Sequence, residues 1–152
     1  MIKILFVCHG NICRSTMAEF VLRDMINKRG LGKKIVVASA GTSDEEEGNG
    51  VHHGTRRKLA SVGIAVDPTK RARQMTRYDY DKYDLLLAME SYNLRNMLRI
   101  TRGDPDGKMR RLLDYSARPR DIADPWYTGN FDVTYDDIVE GCEALLDYLT
   151  EN

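Results

Sequence analysis

A cysteine and an arginine in the segment Cys8-His9-Gly10-Asn11-Ile12-Cys13-Arg14-Ser15 have the chemistry of a nucleophile and a phosphate clamp. The thiolate form of cysteine is a strong nucleophile, and a guanidinium can grip two oxygens of one phosphate. The pattern of a cysteine, five residues, an arginine and a serine is weak by itself, because chance produces it in about one chain in ten. The alternative is a small buried cysteine at a strand end and an arginine that pairs elsewhere.

The segments on either side of this loop predict where its backbone points. Lys3 to Val7 is apolar and rich in β-formers, which predicts a buried strand. From about Ser15 to Lys28 no Gly or Pro interrupts the chain, which predicts a helix that ends at Gly30. At a strand-loop-helix junction the loop N–H groups converge on one point, and the helix N-terminus adds the positive end of its dipole. We therefore expect an anion-binding loop in which Cys8 exists largely as the thiolate.

Three residues in and beside the loop suit such a cradle. Gly10 has no Cβ where the backbone must approach a ligand. Asn11 tolerates left-handed backbone angles, and its amide can tie the loop together. Ser15 can either cap the helix or donate a hydrogen bond to the thiolate.

A carboxylic acid far along the chain, Asp124, could complete a reaction centre. Release of phosphate from an ester requires a proton for the departing oxygen, and the same carboxylate can later deprotonate the water that breaks a thiophosphate. Pro125 biases Asp124 toward an extended backbone, and Trp126 and Tyr127 could wall a slot for an aromatic ring. Taken alone, this segment is more often an ordinary turn with aromatics at a core edge. In a chain that also contains the cysteine loop, we interpret it as catalytic.

Composition argues against several other classes of protein. The chain has 152 residues with 23 Lys plus Arg and 23 Asp plus Glu, so its net charge is close to zero. This balance argues against nucleic-acid and membrane-surface binding, and no apolar run approaches membrane-spanning length. The apolar start is one strand long and lacks a basic lead-in, so we expect no secretory signal. An odd count of three cysteines indicates a reducing compartment, which we take to be cytoplasmic, and we expect a monomer.

Strand and helix segments alternate along the chain. After the first strand and helix, we predict strands over Lys34–Ala38, Asp84–Met89 and Met109–Leu113. We predict further helices over Thr55–Val62, from a cap at Ser91 through Leu98, and over Thr134–Thr150. This alternation predicts a single α/β domain over residues 1–152, a four-stranded parallel sheet with helices on both faces and a phosphate-binding loop after strand one. Sites in such sheets lie at the carboxyl ends of strands, so we expect the loops Ser39–Gly50 and Arg118–Asn130 beside Cys8.

The sequence resembles the low-molecular-weight protein tyrosine phosphatases along essentially its whole length. The matching segments are Val7–Ser15, Met17–Glu19, Ser39–Gly41, Arg71–Gln74, Met89 with Asn93–Leu94, and Asp124–Tyr127. A nucleophile loop near the amino terminus combined with Asp-Pro near the carboxyl terminus is specific to this family and its close relatives.

The resemblance implies hydrolysis of phosphotyrosine in proteins through a cysteinyl-phosphate, with inorganic phosphate as the product and no metal or organic cofactor. The implied nucleophile is Cys8, the phosphate clamp is Arg14, and the acid and later base is Asp124. The implied phosphate- and substrate-binding residues are His9, Gly10, Asn11, Ile12, Cys13, Ser15, Trp126 and Tyr127. The implied loop supports are Asn11, Ser15 and Ser39.

The sequence departs from the family pattern at three places. Thr16 replaces the usual Pro, and Lys70 lies where some relatives have His. The acidic stretch Asp44–Glu47 replaces an aromatic or large apolar rim residue, and we interpret it most simply as a solvated loop. If it rims the pocket instead, phosphopeptides with flanking Lys or Arg are expected to be favoured. A relative that acts on phosphoarginine has Thr where this chain has Ile12, which implies a preference for phosphotyrosine here.

Three other functions compete at this point. A thiol-dependent arsenate reductase needs resolving cysteines after strand three, and Met89–Arg110 contains none. A sugar-transport phosphocarrier also uses a loop cysteine but has no need of Arg14 or Asp124. A non-catalytic phosphopeptide-binding module has no need of a nucleophile, a clamp and an acid together.

The remaining cysteines and a histidine pair have simpler interpretations. Cys13 shares the loop with Cys8, and either a reversible disulfide or an inert buried thiol fits the sequence. Cys142 lies on an apolar stripe and is expected in the core. We interpret His52-His53 as the lead-in to a helix, because no neighbouring cluster supplies further metal ligands.

Overall fold

One four-stranded sheet organises the computed structural model of the protein, which describes residues 1–151. Its strands are β1 (Ile2–Cys8), β2 (Ile35–Gly41), β3 (Leu85–Ala88) and β4 (Met109–Arg111). They are parallel and lie in the order β2-β1-β3-β4. The carboxyl end of β1 therefore lies at the topological switch point, where folds of this kind bind ligands. Asn152, the last residue of the expected domain, lies outside the described residues.

β1 is buried on both faces, which explains its continuous apolar sequence. Ile4 and Phe6 belong to one cluster of buried side chains, and Leu5 and Val7 belong to another. This division follows from the alternation of side chains along a strand. Each of the four is fully buried, so β1 holds the centre of the fold and its carboxyl end is rigidly placed.

Helices cover both faces of the sheet, as predicted. Within the described chain the helices are α1 (Arg14–Lys28), α2 (His53–Ser61), α3 (Asp79–Lys82), α4 (Ser91–Thr101), α5 (Pro125–Thr128) and α6 (Phe131–Thr150), with a 3-10 turn at Leu112–Tyr115. α1 and α6 bury apolar side chains against the face that carries Ile4 and Phe6. α4 buries Met97 on the other face. No helix among residues 1–151 is both long and apolar enough to cross a membrane.

Most strand ends lie within one residue of the prediction, and the carboxyl ends of β2 and β4 differ by more. β2 continues past Ala38 to Gly41, because Ser39–Gly41 pair with the last three residues of β1. The fourth strand ends at Arg111 rather than Leu113. The next two leucines enter the 3-10 turn and are fully buried there, so core packing rather than strand pairing explains their apolar character.

Capping side chains move the start of three helices. α2 begins at His53 instead of Thr55, α4 is capped by Glu90 instead of Ser91, and α6 begins at Phe131 instead of Thr134. His52 Nδ1 and Asn130 Oδ1 accept backbone N–H groups of the first turn, and at α4 the N–H of Glu90 donates to Asn93 Oδ1. The four-residue helices α3 and α5 were not predicted, since such short segments carry no helical periodicity.

Candidate active site

A cavity of about 140 Å³ opens at the carboxyl end of β1. Its walls include nine of the predicted site residues, namely Cys8, His9, Gly10, Ile12, Cys13, Arg14, Asp124, Trp126 and Tyr127. Asn11, Ser15 and Ser39 are buried and form hydrogen bonds beneath the loop. The structure therefore brings the two distant segments of the predicted site to one place.

The sulfur of Cys8 lies among hydrogen-bond donors. The backbone N–H of Asn11 donates to Cys8 Sγ at 3.3 Å. The hydroxyl of Ser15 lies 3.0 Å from the same sulfur. Ser15 is inside α1 rather than at its cap, so its hydroxyl serves the sulfur and not the helix end. Donors in this arrangement stabilise a thiolate.

The side chain of Asn11 ties the loop to its surroundings. Asn11 has a left-handed backbone with φ 58°, which is the conformation expected from the sequence. Its Nδ2 donates to Ser15 Oγ at 2.8 Å and to Ser39 Oγ at 2.9 Å. Its Oδ1 accepts the backbone N–H of Arg73 at 3.1 Å. One amide thus joins the loop to α1, to β2 and to the segment before α3.

The end of β2 packs directly against the loop backbone. A Cβ on Gly41 would lie 2.7 Å from the carbonyl oxygen of His9, so only glycine allows this approach. The N–H groups of Thr42 and Ser43 donate to the carbonyls of Cys8 and His9, at 2.9 and 3.0 Å. The loop is therefore held by backbone contacts as well as by the Asn11 amide.

A buried carboxylate lies beneath Ser39. Ser39 Oγ donates to Glu19 Oε1 at 2.6 Å, and Lys70 Nζ lies 3.0 Å from the same oxygen. Arg23 Nη2 lies 2.7 Å from the other oxygen of Glu19. Two cations and a hydroxyl thus satisfy a charge that is otherwise costly to bury. Both Glu19 and Lys70 were noted when the sequence was compared with the family pattern, but the ion pair between them was not predicted.

Arg14 is buried and held by groups from two other segments. Its Nη1 donates to Glu90 Oε2 at 2.6 Å and to the carbonyl oxygen of Ile122 at 2.8 Å. Its Nη2 donates to Asp124 Oδ2 at 3.3 Å. Sequence analysis missed Glu90. Its position at the carboxyl end of β3, next to β1, was the available signal.

Asp124 begins a short helix and faces the cavity. Its Oδ1 accepts the N–H of Trp126 at 3.0 Å and caps α5, and Pro125 occupies the first helical position, where its missing N–H is not needed. The other oxygen of Asp124, Oδ2, accepts from Arg14, and the side chain lines the cavity with 22% of its surface exposed. The side chain of Asp124 therefore caps α5 with one oxygen and faces the loop with the other.

An aromatic cluster holds the Trp126 side of the cavity. The ring of His52 lies edge-on to Trp126 at 5.6 Å and stacks on Phe131 at 5.5 Å. A Cβ on Gly54 would lie 2.2 Å from the Phe131 ring. His52 Nδ1 accepts the N–H of Gly54, and burial together with neighbouring His53 lowers the pKa of His52. His52 is therefore a helix lead-in and an aromatic support, consistent with the sequence interpretation.

The acidic loop is not simply solvated, which corrects the expectation. Glu45 and Glu46 line the cavity, and Glu46 is half-buried. Glu45 Oε2 lies 3.3 Å from His9 Nε2. Asp44 and Glu47 are exposed and do not line the cavity, so only the middle of the acidic stretch forms part of the rim.

The three cysteines are free and buried. Burial, with negative charge at Cys8 and Asp124, raises the pKa of Cys13 to about 12. Full burial also raises the pKa of Cys142, which lies in the core as expected. Both thiols therefore remain protonated at neutral pH, and Cys8 is the cysteine surrounded by thiolate-stabilising donors.

The comparisons with known proteins agree on one family. The family model for low molecular weight phosphotyrosine protein phosphatases matches residues 3–152. The low molecular weight protein-tyrosine-phosphatase YfkJ of Bacillus subtilis is 42% identical over 148 residues, which cover 96% of this chain and 94% of that protein. The low molecular weight protein-tyrosine-phosphatase PtpA of Staphylococcus epidermidis is 34% identical over 153 residues, which cover 100% of this chain and 96% of that protein.

Solved structures show the same similarity. The crystal structure of YfkJ superposes with a TM-score of 0.95 at 40% identity, covering 99% of this chain and 96% of that one. The Drosophila arginine phosphatase DARP superposes with a TM-score of 0.89 at 28% identity, covering 98% of both chains. The fold is thus shared with proteins whose names specify different phosphorylated residues.

Proposed function

The chain belongs to the low molecular weight phosphotyrosine protein phosphatase family, and from this premise we propose that it hydrolyses phosphotyrosine in proteins through a cysteinyl-phosphate on Cys8. The observation that carries the proposal is the convergence of Cys8, Arg14 and Asp124 on one cavity. These side chains supply a nucleophile, a phosphate clamp and an acid within a single site.

The first chemical step forms the phosphoenzyme. The Cys8 thiolate attacks phosphorus, and the bond from phosphorus to the phenolic oxygen breaks as Asp124 donates its proton to that oxygen. The loop N–H groups and Arg14 stabilise the negative charge on the other phosphate oxygens. Because Arg14 has five N–H donors, it can remain bonded to Glu90 while it grips phosphate.

The second step releases inorganic phosphate. Asp124, now a carboxylate, removes a proton from water, the water oxygen bonds to phosphorus, and the sulfur–phosphorus bond breaks. The departing thiolate of Cys8 returns to the N–H of Asn11 and the hydroxyl of Ser15. These donors stabilise the sulfur as a leaving group as well as a nucleophile.

We also propose residues 1–152 as one catalytic domain that acts as a monomer on phosphotyrosine-containing proteins in the cytoplasm. The proposed nucleophile, phosphate clamp and acid of a single chain already meet at the cavity, which supports a monomeric enzyme. The three free thiols suit a reducing compartment.

Asp124→Ala is expected to slow phosphotyrosine hydrolysis by about 10²- to 10⁴-fold. The loss should be greatest for substrates with poor leaving groups, because they depend most on the proton. Cys8→Ser is the control that abolishes turnover yet keeps phosphate binding. Wild-type rates in Asp124→Ala would contradict the acid assignment, and turnover by Cys8→Ser would contradict the phosphoenzyme.

Ile12 is the side chain that we expect to favour phosphotyrosine over phosphoarginine. It lines the cavity, is 8% exposed and packs with Cys13, Ala72 and Phe131. An apolar wall suits a phenyl ring better than a guanidinium. Apolar selection of this kind is worth only about 1–3 kcal/mol, so the preference should be clear but not absolute.

Ile12→Thr should therefore raise kcat/KM for phosphoarginine and lower it for phosphotyrosine. Ile12→Val is the matched control, because Val has the shape of Thr without the hydroxyl. The measurement is kcat/KM for both substrates with the three proteins. A wild type that prefers phosphoarginine, or a ratio that Ile12→Thr leaves unchanged, would show that this assignment of the pocket wall is wrong.

We propose that Cys13 protects Cys8 from irreversible oxidation. Peroxide converts the Cys8 thiolate to a sulfenic acid, and the Cys13 thiol then displaces water to form a disulfide that an added thiol reduces. The attacking form of Cys13 is its thiolate, and its pKa is raised to about 12. At any pH below about 12, a higher pH increases the thiolate fraction, so the protection by Cys13 should increase with pH. Cys13→Ser should recover less activity than wild type after the same peroxide exposure. Cys142→Ser is the control, and equal recovery in all three proteins would exclude this role.

Glu45 and Glu46 should favour phosphopeptides with a basic residue beside the phosphotyrosine. Each exposed ion pair is worth about 0.2–1 kcal/mol and weakens as salt is added. Replacing both residues with Gln should abolish the preference for Lys over Ala in kcat/KM. Replacing Asp44 and Glu47 with Asn and Gln is the matched control, because they do not line the cavity. A preference that survives loss of Glu45 and Glu46 would place their charges outside the substrate path.

A further inference from the structure

A second groove lies beside the candidate active site and shares one wall with it. The groove is lined by His9, Thr42, Ser43, Tyr92, Asn96, Arg99 and Ile100. His9 also lines the active-site cavity, so the two depressions adjoin at this side chain. The side chains of Tyr92, Asn96 and Arg99 in this groove have no role in the reaction described above.

One face of α4 supplies the floor of the groove. Tyr92, Asn96 and Arg99 are four and then three residues apart along the helix, a spacing that places them on one face. Tyr92 is 51% exposed, and Arg95 lies over its ring at 5.8 Å. Such an exposed aromatic ring among polar groups is a common feature of binding surfaces.

Several polar side chains of the groove have hydrogen-bond donors without a partner in residues 1–151. Arg99 is exposed and forms no ion pair or side-chain hydrogen bond within residues 1–151. The amide of Asn96 is likewise unbonded in that part of the chain. Ser43 Oγ accepts the N–H of Glu45, which leaves its own proton free to donate. A carboxylate is the ligand that these donors fit best.

The groove and the acidic rim give the two sides of His9 opposite charge. Glu45 contacts His9 from the cavity, whereas Arg99 lies in the groove beyond it. A peptide that places phosphotyrosine over Cys8 extends away at about 3.4 Å per residue. Residues a few positions from the phosphotyrosine can therefore reach the groove on one side only.

Resting on the proposed phosphatase function, we propose that this groove is a specificity subsite for an acidic residue on one side of the phosphotyrosine. Arg99 and Asn96 bind the carboxylate, and Tyr92 packs against the adjoining peptide. The subsite selects among phosphopeptides without touching the reacting atoms. It predicts a directional preference, since only the peptide segment on one side of the phosphotyrosine passes over the groove.

The test uses three phosphotyrosine peptides that carry two glutamates before the phosphotyrosine, two glutamates after it, or alanines at all these positions. Binding is measured to Cys8→Ser, which requires no turnover, and kcat/KM is measured with the wild type. One glutamate peptide should bind about two- to fivefold tighter than the alanine peptide, and the gain should shrink with added salt. Arg99→Gln should abolish the gain, in the Cys8→Ser background and in kcat/KM.

Arg102→Gln is the matched control. Arg102 is exposed at the end of the same helix and does not line the groove, so its loss should leave the glutamate preference intact. Equal binding of the three peptides, or a preference that Arg99→Gln retains, would overturn the subsite. Hydrolysis of free phosphotyrosine tests the phosphatase function alone, because that substrate has no flanking residues, so the two proposals fail separately.

Discussion

The buried amide of Asn11 is the interaction on which the candidate active site depends. A left-handed backbone at a residue with a side chain costs about 1–2 kcal/mol, and Asn11 offsets this through three hydrogen bonds to Ser15, Ser39 and Arg73. The same backbone conformation directs the N–H of Asn11 at Cys8 Sγ. The hydrogen bonding of Cys8 Sγ therefore follows from the backbone conformation of a neighbouring loop residue.

Burial of Arg14 imposes the second constraint. A guanidinium that is 3% exposed requires compensating charge, and Glu90 and Asp124 supply it from β3–α4 and from the segment before α5. One of these carboxylates is the proposed acid, so the charge that holds Arg14 in the free protein is also a participant in the reaction. A phosphate that enters the loop competes with Asp124 for Arg14, whereas the 2.6 Å bond to Glu90 can persist and keep the clamp in place.

The local parts of the fold and the convergence of the strand-end loops on Cys8 could be predicted from the sequence, and the individual side-chain pairs between distant segments could not. β1, α1 and the loop between them follow from a continuous apolar run, glycine placement and the absence of helix breakers. The extension of β2 through Ser39–Gly41 has no such signal, because Ala and Gly are depleted in strands, and it is the pairing with Phe6–Cys8 of β1 that makes this segment a strand. The pairing of Arg14 with Glu90 joins residues 76 positions apart. Residue spacing carries no information at that separation. Glu90 could be identified as the partner of Arg14 only from the order of the strands, which places the end of β3 beside the end of β1.

The candidate site divides into a buried part that surrounds the proposed nucleophile and an exposed part that rims the cavity. Asn11, Ser15, Ser39 and Glu19 are buried and fully bonded, and removal of any partner would leave a buried polar group unsatisfied. Glu45 and Arg99 are exposed, where each charge contributes little and is screened by salt. Substitutions in the rim can therefore change which peptides bind without disturbing the nucleophile. An acidic loop in place of an aromatic rim is consistent with this division, because it alters the surface around the cavity and leaves the hydrogen bonds beneath Cys8 unchanged.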